Sequence, residues 1–250
     1  MLCLLSALVF VAFLPSLIYM IAIRNTERYE REPWFAVLRS FITGATFGII
    51  LAAILEGIAV NFYATSLSFL REYLFIAKHK ESIDAIVLAA IIAPFIEEAT
   101  KAYGIHVSRR YIDEIEDGLV YGASSGFGFA ATENLLYEIS AFLQGGLISW
   151  LYVALVRSIS SALVHGSATA MTGLGYSLKR FHRGSLLKGY LSAVLLHSSF
   201  NILASVPIIY RGEGGYIYLV PLALAIMYGG ISFSYIKKKI RYYDIPRRKG

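Results

Sequence analysis

Hydrophobic residues in this chain come in long runs separated by short polar segments. A membrane-spanning helix needs about 20 mainly apolar residues, each rising about 1.5 Å. Runs of that length lie at about 2–23, 35–62, 84–107, 118–141, 148–175, 186–206 and 216–236. The second and fifth are long enough to be tilted or broken. The first, MLCLLSALVFVAFLPSLIYMIAI, lacks the positively charged start of a secretory signal peptide and exceeds the usual length of its apolar core. It therefore reads as a retained span. The segment 64–82, ATSLSFLREYLFIAKHKES, is shorter and semi-polar, the pattern of a helix lying at the interface. Together the runs predict one all-α polytopic membrane domain over 1–250, with a basic tail over 237–250. It is a bundle of seven transmembrane helices, or eight if 64–82 inserts. Sheet is expected to be near zero, because an open sheet leaves backbone groups unpaired in lipid.

Composition agrees. Of 250 residues, 57% are hydrophobic and only 16% charged, where a soluble domain carries roughly 25% charged residues. The mean hydropathy is +0.60. The single cysteine, Cys3, excludes an intramolecular disulfide framework and a cysteine-based metal site. The net charge of +6 raises the question of nucleic acid. The placement of Lys and Arg answers it. Sixteen, including Lys188 at a helix edge, fall in the tail and around the connections after runs one, three and five. Only four follow runs two, four and six, while Arg39, Lys101 and Arg157 lie inside runs. This is the positive-inside pattern of a multi-pass cell-membrane protein, with the N-terminus outside and the tail in the cytoplasm. No charge is left that calls for a nucleic-acid partner.

Ionisable residues inside the membrane are costly and mark candidate functional sites. Run three carries Glu97, Glu98 and Lys101 in IIAPFIEEATKAYG; run four carries Glu133. Run five carries Arg157 and His165, and run six carries His197 with Asn201 four residues on. Glu56 and Glu138 are expected to snorkel, and Arg157 to be structural. Counted at 1.5 Å per residue, Glu97, Glu98, His165 and His197 lie roughly 13–17 Å from the inner surface, and Glu133 about 23 Å up. Four helices thus offer polar groups near one level, as one buried site would require. Glu97 and Lys101 stand at i, i+4 in the favourable order for an ion pair. Glu98 is turned about 100° from Glu97, so the two carboxylates have different tasks. Pro94, one turn earlier, removes a backbone hydrogen bond and loosens the helix. Gly118, Gly122 and Gly126 form a small-xxx-small seam for close helix packing.

Two routes to activated water stay open. One is general-base catalysis by Glu or His with a second group holding the oxyanion. The other is a metal such as Zn²⁺, which imidazole and carboxylate suit. HExxH is absent, so a metal site must be assembled from several helices. Glu97, Glu98 and Glu133 carry −3 when ionised and Lys101 returns +1; a divalent ion would neutralise the remainder.

The chain resembles the PrsW family of intramembrane proteases, part of a superfamily with the CAAX prenyl endopeptidases and bacteriocin-processing proteins. ERYEREP resembles the family's motif after the first span. EEATK is similar to its EExxK motif, and DEIEDGLVYGASSGFGFAATENLLY to its longest signature, whose FxxxE falls on Phe129 and Glu133. RSISSALVHGSATAMTGLGY supplies His165, and HSSFN supplies His197 and Asn201 as HxxxN. The resemblance implies hydrolysis of a peptide bond in or near the membrane-spanning part of a membrane-anchored protein, with an anti-sigma factor as the family's founding substrate. It implies Glu98 or Glu97 as base and Glu133 with His165 as groups holding water or metal. His197 and Asn201 then stabilise the oxyanion or act as ligands. The candidate metal set is Glu98, Glu133, His165 and His197. Glu133 stands where the CAAX enzymes have histidine. The competing readings are a proton-coupled transporter, against which no inverted repeat is visible, and a catalytically inactive membrane scaffold.

Overall fold

The computed structural model describes residues 2–66, 84, 86–209 and 216–246. Their regular structure is all helical, with no strand among them. The helices are α1 (Leu2–Arg24), α2 (Trp34–Thr43), α3 (Ile49–Ser66), α4 (Ala93–Ser108), α5 (Ile115–Ile159), α6 (Ser161–Arg180), α7 (Leu186–Ile209) and α8 (Tyr216–Tyr243). Two π-helical turns interrupt them: Gly44–Gly48 joins α2 to α3, and Leu88–Ile92 leads into α4. Of the expected interfacial segment, residues 64–66 end α3 and the rest lies outside the described residues.

The protein is an integral membrane protein. Four stretches are long and apolar enough to cross a bilayer: Leu4–Arg24, Trp34–Thr65, Ile115–Arg180 and Leu219–Tyr243. Seven runs were expected. Ile115–Arg180 holds two of them as a helical hairpin that reverses at Gly146, where φ is 67° and ψ −156°. Glycine adopts this left-handed backbone without the Cβ penalty other residues meet. Trp150 Nε1 donates to Glu138 Oε2 at 2.8 Å. Twelve residues of straight helix would hold them about 18 Å apart, so the chain must turn back. Two other expected runs became α4 and α7. The first is a regular helix of only 16 residues and carries Glu97, Glu98 and Lys101; the second has 24 residues and carries Lys188, His197 and Asn201.

The hairpin closes along the glycine seam. A Cβ at Gly118, Gly122 or Gly126 would run into the backbone of Gly173, Thr169 or His165 respectively. The return arm breaks at Ser160, inside the expected fifth run, where φ is −125° and ψ −74°. Around the hairpin pack α1, α2, α4 and α8, and α7 lies against α6. The main core joins Phe41, Ile105, Tyr121, Phe127 and Ile236. Outward faces carry exposed apolar residues such as Phe10, Ile50, Ile148 and Leu155, as lipid contact demands.

Glu138 does not snorkel. It is buried beneath Trp150, because the fold-back at Gly146 brings the indole over it.

Candidate active site

α4 carries Pro94 in its first turn, where a missing N–H costs nothing. The irregularity expected at Pro94 sits one step earlier, as the π turn Leu88–Ile92. From there Glu97, Glu98 and Lys101 point inward and are buried. Lys101 Nζ donates to Glu97 Oε2 at 2.9 Å, to Glu98 Oε1 at 2.9 Å and to His165 Nδ1 at 2.7 Å. All three ammonium protons are thereby used. Beneath it lies the Phe129 ring, 4.2 Å from Nζ, a cation–π contact in a desolvated setting.

These bonds set the histidine tautomers. An ammonium only donates, so His165 Nδ1 accepts and the ring proton sits on Nε2. That nitrogen faces Glu133 Oε2 at 3.0 Å. His197 Nδ1 donates to Glu98 Oε1 at 3.0 Å. Its Nε2 is left as an acceptor, 3.9 Å from Glu97 Oε2. Thr169 Oγ1 donates to Glu98 Oε2 at 2.8 Å. Glu98 is therefore fully engaged, and its task is to orient His197. The two imidazoles meet edge-on, with ring centroids 4.5 Å apart.

A cavity of about 560 Å³ opens over this network. Glu97, Glu133, His165 and His197 line it, and Glu98 does not. Glu97 Oε1 takes no hydrogen bond among the described residues, so this carboxylate has an oxygen to offer the cavity. Glu56, expected to snorkel, lies on the cavity wall, as does Asn201. Asn201 Nδ2 donates to the Ala89 carbonyl at 2.7 Å, which ties α7 to the π turn.

All the residues singled out by sequence thus meet in one network except Asn201, which borders it. Two others belong to it. Arg157 Nη2 reaches Glu133 Oε2 at 2.6 Å, and its Nε reaches Asn134 Oδ1 at 2.7 Å. A lone guanidinium inside a span was its signal. Thr169, among the small residues of α6, gave none. Arg157 also changes the charge count. Three carboxylates against Lys101 and Arg157 leave one net negative charge, which a divalent ion would more than offset.

Glu97, His165 and His197 each offer one ligand-type atom, and these lie within 4.8 Å of one another. Of the expected set Glu98, Glu133, His165 and His197, only the two histidines belong to this trio: Glu97 supplies its carboxylate, while Glu98 contacts Lys101, His197 and Thr169 and Glu133 contacts Arg157. Glu97 Oε2 stands 3.7 Å from His165 Nδ1 and 3.9 Å from His197 Nε2. Tetrahedral Zn²⁺ ligands stand about 3.4 Å apart, so the trio fits zinc in donor type and, after a small contraction, in spacing. An ion held by all three displaces either the Lys101 contact at His165 Nδ1 or the Glu133 contact at Nε2.

Residues 32–228 match the family model described as PrsW family intramembrane metalloprotease. A protein named Protease PrsW from Clostridioides difficile is 26% identical over 201 residues, covering 77% of this chain and 76% of its own length. Another so named, from Bacillus subtilis, is 25% identical over 187 residues, 71% of this chain and 73% of its own. No solved structure gives a significant match. The family match spans most of the chain, and the chain belongs to the PrsW family of intramembrane proteases.

Proposed function

We propose that this protease cleaves a membrane-anchored protein, of the anti-sigma-factor kind, within or beside its span, with Glu97 as the general base. The observation that carries this reading is the cavity wall on which Glu97, His165 and His197 converge. Glu97 has one oxygen on Lys101 and one free, so it can take a proton from a water held in the cavity. The same carboxyl then returns the proton to the departing amine, a relay worth about 10²–10⁴-fold in rate. His197 Nε2, aimed by Glu98, positions the water. Arg157, on the cavity wall beside Glu133, supplies positive charge and N–H donors near the developing oxyanion. Zn²⁺, held by Glu97, His165 and His197, would add Lewis-acid polarisation of the carbonyl and a more acidic water.

Topology supports access from the bilayer. We place seven crossings, N-terminus outside, with α4 and α7 as crossings stabilised by the site's own internal pairing. The positive-inside distribution carries this orientation.

The test is reconstitution in proteoliposomes with a single-span anti-sigma-type substrate. Wild-type protein should release a cleaved fragment, and Glu97→Gln should not. Cleavage at an unchanged rate by Glu97→Gln removes Glu97 from the role of base.

A further inference from the structure

The ERYEREP segment, which joins α1 to α2, takes no part in the intramembrane site. It builds a second buried cluster at the opposite end of the hairpin from Gly146. Glu27 and Glu32 from this loop and Asp117 from the first turn of α5 are 0%, 4% and 1% exposed. Each offers a carboxylate oxygen, and the three oxygens lie within 4.8 Å of one another. Oxygens that share one ion at about 2.0–2.6 Å stand no more than about 5 Å apart.

The protein holds these carboxylates in place with hydrogen bonds and, among the described residues, pairs none of them with a cationic side chain. Glu32 N donates to Glu27 Oε2 at 3.0 Å. Asp113 N and Glu114 N donate to Asp117 Oδ2 at 2.7 and 2.6 Å, and Tyr121 donates its hydroxyl to Glu32 Oε2. One oxygen of each group is thus fixed. The neighbouring guanidiniums turn elsewhere: Arg24 Nε donates to the Glu32 carbonyl at 2.6 Å, and Arg31 Nε to the Glu27 carbonyl at 3.0 Å. Among the described residues, no Lys, Arg or His forms an ion pair with any of the three.

Two further observations point to a missing partner. Glu27 Oε1 is buried with no hydrogen bond. Glu116, 1% exposed, has neither oxygen paired, and one lies within 4.8 Å of an Asp117 oxygen. The intramembrane site is the contrast: there Glu97 and Glu98 meet Lys101, and Glu133 meets Arg157. Burying like charges this close without compensation is very costly.

We propose that Glu27, Glu32 and Asp117 form a binding site for a hard divalent cation of the Mg²⁺, Ca²⁺ and Mn²⁺ class, separate from the protease site. All-oxygen carboxylate donors select this class over Zn²⁺. Bound there, the ion ties the α1–α2 loop to the first turn of α5, and so to the hairpin that carries Glu133 and His165. This site stands independently of the base assigned to Glu97.

The full chain, purified in detergent and stripped with EDTA, is titrated with Mn²⁺ while free Mn²⁺ is followed by electron paramagnetic resonance. Mg²⁺ and Ca²⁺ are used as competitors, and thermal unfolding is measured with each ion. A Glu97→Gln/His197→Ala background keeps the intramembrane trio out of the readout. One equivalent should bind in that background, with a higher Tm. Glu27→Gln or Asp117→Asn should weaken binding more than tenfold. If these variants do not survive purification, the ion-dependent rise in Tm of the background protein decides. No Mn²⁺ bound and no Tm rise with any of the three ions overturns the proposal, as does binding unchanged in Glu27→Gln/Asp117→Asn.

Discussion

Lys101 Nζ stands 2.7 Å from His165 Nδ1, closer than to either glutamate it pairs with. The ammonium therefore fixes a histidine tautomer as well as balancing charge. It turns the His165 N–H toward Glu133. Lys101→Met keeps most of the side-chain volume and removes this control. Cleavage should fall by about 10²-fold or more. Lys101→Arg should not restore it, because a planar fork cannot make the same three bonds in a fully buried space. The initial cleavage rate of the reconstituted variants checks both.

Glu97 and Glu98 should separate kinetically. Glu97→Gln loses the base, so kcat should drop by about 10²–10⁴-fold with KM little changed. Glu98→Gln keeps a hydrogen-bonding acceptor for His197 but weakens its aim, and a loss of about 10–100-fold is expected. Thr169→Val, which removes a bond to Glu98, should lie nearer wild type. Equal losses at positions 97 and 98 would contradict the division of tasks.

Metal dependence has a direct readout. Incubation with 1,10-phenanthroline should abolish cleavage, and added Zn²⁺ should restore it, with His165→Ala and His197→Ala losing bound zinc. Full activity in zinc-free, chelated protein assigns water activation to Glu97 alone, with Lys101 retaining its contacts to Glu97 and His165.

The glycine seam should be intolerant of the smallest side chain. Gly122→Ala sets a methyl group against the Thr169 backbone. Overpacking of this kind costs about 1–3 kcal/mol. Thermal unfolding in detergent should show a lowered Tm. Gly57→Ala, where an added Cβ meets nothing within 4 Å, should be neutral.

Much of the site was legible because membrane burial makes charge conspicuous. Glu97, Glu98, His165 and His197 stood out as costly residues at one calculated depth, with Lys101 one turn from Glu97, and these groups meet in the structure. Glu133 seemed too high because helices were counted as upright. The outward arm of α5 runs about 31 residues to Gly146, beyond the roughly 20 that a bilayer core requires, so tilt shifts its levels. Which glutamate faces the cavity could not be read from a 100° offset. That depends on Thr169 arriving from another helix to occupy Glu98. Glu138 misled for the opposite reason: snorkelling is a rule for a lone helix, and the fold-back brings Trp150 over it. Arg157 could not be given its partner from sequence, because Glu133 lies 24 residues away and meets it only after the chain reverses.

The seam of Gly118, Gly122 and Gly126 has a consequence for how a substrate is handled. It presses main chain against main chain directly behind His165, so no side chain is free to yield there. The reacting depth is set by two backbones in register. A helical substrate keeps its carbonyls locked in its own hydrogen bonds, and this rigid wall cannot bend to meet them. A membrane-anchored substrate whose helix is weakened by glycine, proline or a polar residue at that depth should therefore be cut faster than one whose helix is sturdier.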